Sequence, residues 1–128
     1  MNSIVLDASA MIAMLQQEPG AEKITPDLLS RSVTSTVNLA EVQSKLVDRG
    51  AHADDAWQDT ISAVNEAIPF TAEQARAAGN LIADTRHLGL SLGDRACLSL
   101  AVALNAPVYT TDKSWKNLKL GIRIHVIR

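Results

Sequence analysis

The sequence predicts an α/β fold of three layers, with a central, mainly parallel sheet of about five strands covered by helices on both faces. Three observations predict it. The opening run Ile4-Val5-Leu6 is apolar without alternation, which is how a strand buried on both faces reads. At Asp7 it passes directly into a helical pattern, Ala10, Met11, Ile12, Met14 and Leu15, the first half of a βαβ unit. Short β-branched runs then alternate with helical patterns along the chain, and that alternation builds parallel sheets with right-handed crossovers.

Glu18-Pro19-Gly20 ends the first helix in a turn. Residues 21–30 read as a short helix with Ile24, Leu28 and Leu29 on one face. Ser32-Val33-Thr34-Ser35 is a short second strand. A helix over 37–49 follows, with Leu39, Val42, Leu46 and Val47 at helical spacing and Gly50 as its stop. Residues 52–65 form another, striped by Trp57, Ile61 and Val64. Ala67-Ile68-Pro69-Phe70 is the third strand, and Pro69 puts it at a sheet edge. Thr71-Ala72-Glu73-Gln74 is a capping box that opens a helix to about Arg86. Ser91-Leu92-Gly93-Asp94 opens the next, with Ala96, Leu100, Ala103 and Leu104 on its packed face. Residues 106–110 read as the fourth strand, 112–118 as a short helix and 122–127 as the last strand. With no repeat and no linker, residues 1–128 are expected to form one domain.

A chain of 128 residues, 47% of them hydrophobic, buries roughly two-thirds of its unfolded surface. Its four aromatics (Trp57, Phe70, Tyr109 and Trp115) leave the core to aliphatic residues and alanine. The single Cys97 forms no internal disulfide, which fits a reducing compartment. No apolar run approaches the ~20 residues that span a bilayer, and no basic-then-apolar leader opens the chain, so a cytoplasmic protein with no membrane partner is expected. The net charge of −2 gives no global signature of nucleic-acid binding. Its distribution is uneven: residues 1–64 carry a net of −5 and residues 65–128 a net of +3. An anionic partner is therefore expected towards the C-terminal half, at Lys113, Lys116, Lys119, Arg123 and Arg128, unless these simply form an ordinary solvated surface.

Four acids stand at helix starts or strand ends: Asp7, Glu41, Asp94 and Asp112. Each alone has a plain structural explanation. Asn38-Leu39-Ala40-Glu41 and Ser91-Leu92-Gly93-Asp94 both resemble capping boxes, with Asn38 as a cap, and Asp7 and Asp112 suit N-caps. Together they mean more. In a parallel sheet all four helix starts emerge at one edge, where ligands of open α/β sheets bind. Like charges about 4 Å apart repel by about 4 kcal/mol at an effective dielectric of 20, so such a cluster needs a counter-charge. Arg95 and Lys113 are adjacent in sequence, but neither is a partner for all four. A hard divalent cation, Mg²⁺ or Mn²⁺, matches the oxygen ligands. A metal so held suits phosphodiester hydrolysis. His52, His87 and His125 lack ligand spacing and read as surface or packing residues. A receiver-type signalling domain shares the architecture but needs paired acids after strand one and an acid ending strand three, where Ile68-Pro69-Phe70-Thr71 has none. Neither glycine fingerprint of a nucleotide-binding protein occurs. A non-catalytic docking domain remains an alternative.

The blocks Ile4-Val5-Leu6-Asp7-Ala8-Ser9-Ala10, Val37-Asn38-Leu39-Ala40-Glu41-Val42, Leu90-Ser91-Leu92-Gly93-Asp94-Arg95-Ala96 and Tyr109-Thr110-Thr111-Asp112-Lys113-Ser114-Trp115 resemble the PIN domain. More narrowly they look like VapC-type toxins of bacterial type II toxin–antitoxin systems. The resemblance covers essentially the whole chain. It implies a Mg²⁺- or Mn²⁺-dependent endoribonuclease that cuts RNA and inhibits translation, a housekeeping RNA-processing nuclease being the alternative. Carried over by position, Asp7, Glu41, Asp94 and Asp112 are the acidic quartet, with Asp7 and Asp94 as direct metal ligands. Ser9 and Thr110 match polar positions beside it, where a turn or cap role is the competing explanation. The resemblance also implies a homodimer and a cognate VapB-type antitoxin whose C-terminal segment covers the crevice. Met11, Ile12, Met14 and Leu15, with Ile24, Leu28 and Leu29, either form the receiving apolar groove or are simply core. Trp57 is a further candidate contact or an inter-helix residue, Trp115 a packing residue or a base-stacking one, and Cys97 a buried small apolar side chain.

Overall fold

The computed structural model describes residues 2–128. Strands β1 (Ile4–Leu6), β2 (Ser32–Ser35), β3 (Glu66–Ile68), β4 (Val108–Thr110) and β5 (Ile124–Val126) form one sheet in the order β3-β2-β1-β4-β5. Every neighbouring pair is parallel, with Val5 opposite both Val33 and Val108. β1 is central and fully buried, as its unbroken apolar run requires. The chain moves outward from β1 through β2 to β3, then returns to the other side for β4 and β5. Connections at β1 and β4 therefore leave in opposite directions, and a crevice opens outside their carboxyl ends.

The helices are α1 (Ala8–Leu15), α2 (Pro26–Ser30), α3 (Thr36–Asp48), α4 (Ala53–Ser62), α5 (Ala72–Asn80), α6 (Ile82–Thr85) and α7 (Leu92–Leu104). Alternate residues of β1 serve the two faces of the sheet. Ile4 and Leu6 pack in one core with Met11 and Ile12 of α1 and Leu39, Val42 and Leu46 of α3. Val5, with Val33 and Val108, packs in the other against Cys97, Leu98, Leu100 and Ala101 of α7. The three-layer, five-stranded parallel architecture is the one the sequence predicts.

Local departures have local causes. The helix expected over 21–30 is a 3₁₀ turn, Ala21–Lys23, followed by α2. Thr25 caps α2 by accepting from Leu28 N, and Pro26 takes the first helical position, where its missing N–H costs nothing. The helix expected to run unbroken to Arg86 divides at Leu81, after the weak helix formers Gly79 and Asn80. β3 is an edge strand, in keeping with Pro69 just beyond it. Trp115 is fully buried beneath β4 and β5, which makes it a packing residue. Trp57 is 42% exposed on α4 instead of lodged between helices.

Candidate active site

Asp7 follows β1 and is the N-cap of α1: its Oδ1 accepts from Ala10 N at 2.8 Å. Asp94 completes a capping box at the start of α7, its Oδ2 accepting from Ser91 N at 3.1 Å while Ser91 Oγ accepts from Asp94 N. Asp112, after β4, caps the 3₁₀ turn Lys113–Asn117 through Oδ1, which accepts from the Ser114 amide and hydroxyl. The structural roles foreseen for these three are real. They do not compete with a site, because capping acids are held at the same sheet edge by the same geometry. Glu41 is different. The N-cap of α3 is Ser35, so Asn38-Leu39-Ala40-Glu41 is not a capping box; Asn38 lies inside the helix, buried, and donates to Glu41 Oε1 at 2.8 Å.

All four acids line one cavity of about 330 Å³, together with Ser9, Asn38 and Lys45. A larger cavity of about 650 Å³ lies at the amino ends of the strands, beside Asn2, Arg31, Asn105 and Arg123, and no acid lines it. Chemistry, not size, marks the smaller one. Asp94, Glu41 and Asp112 each commit one carboxylate oxygen to a protein donor. The second oxygens, Asp94 Oδ1, Glu41 Oε2 and Asp112 Oδ2, accept no hydrogen bond among the described residues.

Asp7 is the buried member, only 4% exposed. Burial pushes its pKa up to about 6, and the charge of Asp94 adds to the rise. Three donors oppose it: the Thr110 hydroxyl on Oδ2 at 2.6 Å, Ala10 N on Oδ1, and the Ser9 hydroxyl on Oδ1 at 2.7 Å. Those hydroxyls tie the two strand ends together. Ser9 Oγ accepts from Thr111 N at 2.9 Å, and Thr110 Oγ1 accepts from Asp112 N at 3.1 Å. Beneath the site, burial pushes the Cys97 thiol well up, and the charges of Asp7, Asp94 and Glu41 raise it further. One buried atom thus feels three of the four acids.

Lys45, one turn after Glu41 on α3, is exposed, lines the cavity, and forms no ion pair within 4 Å among the described residues. Sequence reasoning passed over it and took Asn38 for a helix cap, although the spacing Asn38, Glu41, Lys45 is a helical stripe and was there to be read. Arg95 turns away, donating to the Ala78 carbonyl of α5 at 2.9 Å. Two of the C-terminal bases stand away from the acids: Arg123 lies at the far end of the sheet and Arg128 pairs with Glu18 at 3.0 Å. His125 stacks on Tyr109 with ring centroids 4.6 Å apart, a packing role. Met11, Ile12 and Ile24 are buried in the core, so of the apolar residues considered for a partner groove only Met14, Leu15, Leu28 and Leu29 keep some surface. No three His, Cys, Asp or Glu side chains among the described residues form a ready-made ligand set.

The fold is shared with solved toxin–antitoxin proteins. The chain is similar to VapBC2 from Rickettsia felis, solved bound to a DNA fragment from its promoter, with 20% identity, a TM-score of 0.72 and coverage of 94% of this chain and 96% of that one. It is similar to DNA-bound VapBC from Salmonella typhimurium at 19% identity and a TM-score of 0.73, covering 97% of each chain. VapBC-5 from Mycobacterium tuberculosis, described as a member of the VapBC family of toxin–antitoxin systems, matches at 23% identity and a TM-score of 0.63, over 98% of each chain. No curated protein matches the chain significantly. The PIN domain family model matches residues 4–120, nearly the whole length over which strands, helices and acids have been described, and the chain belongs to the PIN domain family.

Proposed function

We propose that the chain is the toxin of a VapC-type toxin–antitoxin pair, an endoribonuclease that needs Mg²⁺ or Mn²⁺ and arrests growth by cutting RNA required for translation. The observation that carries this is the convergence of carboxylates from four separate segments on one cavity at the switch point of a parallel sheet. The donor set fits a hard cation: every candidate ligand is a carboxylate oxygen, and three have an oxygen with no protein donor. Asp7 and Asp94 would hold the ion, with Glu41 and Asp112 completing its shell or orienting water. When bound, the ion supplies charge to offset the carboxylates, acidifies water in the site and stabilises negative charge building on a phosphate.

The chain's own residues do the rest. Ser9, Thr110 and the Ala10 amide hold Asp7 in one orientation, so the site is organised before substrate arrives. Lys45 stands on the cavity wall as the cation that meets a phosphate of the RNA backbone. An apolar groove between α2 and α4, lined by Pro26, Leu29, Ile61 and Val64, is the proposed seat of an antitoxin segment, with Trp57 one turn before Ile61. The likeness to VapBC complexes supports such a partner, and a homodimer is part of the same proposal. Among the described residues no helix is long and apolar enough to cross a membrane, and cytoplasmic action is part of the proposal.

The test is expression without a partner. Wild type arrests growth and the purified chain cuts RNA with Mn²⁺, EDTA stops cleavage, and Asp94→Asn abolishes both effects with the fold intact. Harmless expression together with no Mn²⁺-dependent cleavage overturns the proposal.

A further inference from the structure

Asn38 is 1% exposed inside α3, and its amide joins two elements of the site. Nδ2 donates to Glu41 Oε1 at 2.8 Å and to the Gly93 carbonyl at 3.0 Å. Gly93 immediately precedes Asp94, so one side chain links the acid of α3 to the helix start that carries another acid. Both amide hydrogens are committed to acceptors, which fixes the amide's orientation. Oδ1 is left buried without a partner among the described residues. Packing alone does not favour a buried acceptor with nothing to accept.

Glu41 is confined from the other side as well. A Cβ at Gly93 would lie 2.5 Å from Glu41 Cδ and Oε2, so the carboxylate occupies space that any other residue would fill. We propose that Asn38 is a positioning residue for the metal site. It clamps Oε1 of Glu41 against the first turn of α7 and leaves Oε2 for the ion. The bond to Gly93 fixes the amide, and Asn38 acts on the metal site through Glu41. This inference rests on the metal-dependent reading given above.

Mn²⁺ affinity measured by calorimetry at one pH on four full-length chains tests it: wild type, Asn38→Ala, Glu41→Ala and the double variant. Asn38→Ala weakens Mn²⁺ binding about tenfold or more, the usual effect of losing a residue that orients a ligand. In the Glu41→Ala background the same change adds less than about twofold, because the residue it serves is gone. RNA cleavage by Asn38→Ala recovers at high Mn²⁺ while its melting temperature in EDTA stays close to wild type, which together exclude a folding defect. Equal losses in both backgrounds, or unchanged affinity in the single variant, overturn the positioning role and leave the metal reading standing. A wild-type chain that binds no Mn²⁺ overturns both, and its own titration tells that case apart. If thermal melting shows Asn38→Ala unfolded, Asn38→Ser takes its place in the cycle, since one hydroxyl donor serves Glu41 or Gly93 but not both, and the same two outcomes decide.

Discussion

The Thr110 hydroxyl, at the end of β4, donates to Oδ2 of Asp7, at the end of β1, across 2.6 Å. The bond crosses between the two strands where the sheet changes direction and holds the buried carboxylate in its ionised form. Thr110→Val keeps the shape of a fully buried side chain and removes the donor. The Asp7 pKa then rises above about 6, so protons compete with Mn²⁺ over a wider range. The midpoint of Mn²⁺ binding moves to higher pH and cleavage near neutrality falls about 10- to 100-fold. Thr110→Ser restores both. Calorimetric titrations from pH 5 to 8 check this, and an unmoved midpoint contradicts it.

Asp7 also destabilises the metal-free fold, and the sign follows from its raised pKa. Between pH 3.8 and about 6 the folded chain keeps a proton that the unfolded chain releases. Stability therefore falls as pH rises through that window and stays lower above it. The whole effect is about 3 kcal/mol on an order-of-magnitude scale. Asp7→Asn, which cannot ionise, is accordingly more stable than wild type by about 1–3 kcal/mol at pH 7 in EDTA, and no different below pH 4. Added Mn²⁺ stabilises wild type and not the variant. Urea unfolding at the two pH values, with and without metal, measures all of it.

What was legible beforehand follows from which interactions are local. The β1 run, the Ser91/Asp94 capping box and the positions of Asp7 and Asp112 depend on a few consecutive residues, and each was readable from the chain. A parallel sheet then brings those acids together without further information. What was missed about the site needed more than local sequence. Asn38 looked like a cap because the true cap, Ser35, ends a strand that runs without a break into α3. Arg95 was not expected to offset all four acids, but where it goes instead, to the Ala78 carbonyl of α5, depends on packing that the sequence does not display. Arg123 and Arg128 share a charge sign but not a place, because they stand beyond opposite ends of β5.

Gly93→Ala separates site geometry from fold stability. Alanine in a helix is favoured over glycine by about 1 kcal/mol. The clash it introduces falls on the Glu41 carboxylate, the mobile end of a long side chain, and not on backbone. The melting temperature therefore changes by only a few degrees while Glu41 is displaced. Mn²⁺ affinity and cleavage both fall about tenfold or more. Retained affinity would mean that Glu41 contributes nothing to holding the ion.

Lys45 gives two opposite expectations in one variant. It is the cation on the wall of an acidic cavity, without an ion-pair partner within 4 Å among the described residues. Removing it leaves the carboxylates less compensated, so Lys45→Ala binds Mn²⁺ as tightly as wild type or tighter. A lysine that meets a phosphate releases counterions on binding, and for single strands each such contact contributes about 0.7 to the slope of log K against log salt. Lys45→Ala therefore weakens RNA binding, measured with a catalytically dead Asp94→Asn chain, and lowers that slope by about 0.7. The effect is similar for all RNA sequences, because phosphates carry no sequence information. An unchanged slope with tighter Mn²⁺ binding would make Lys45 a counter-ion of the acids and not a contact for substrate.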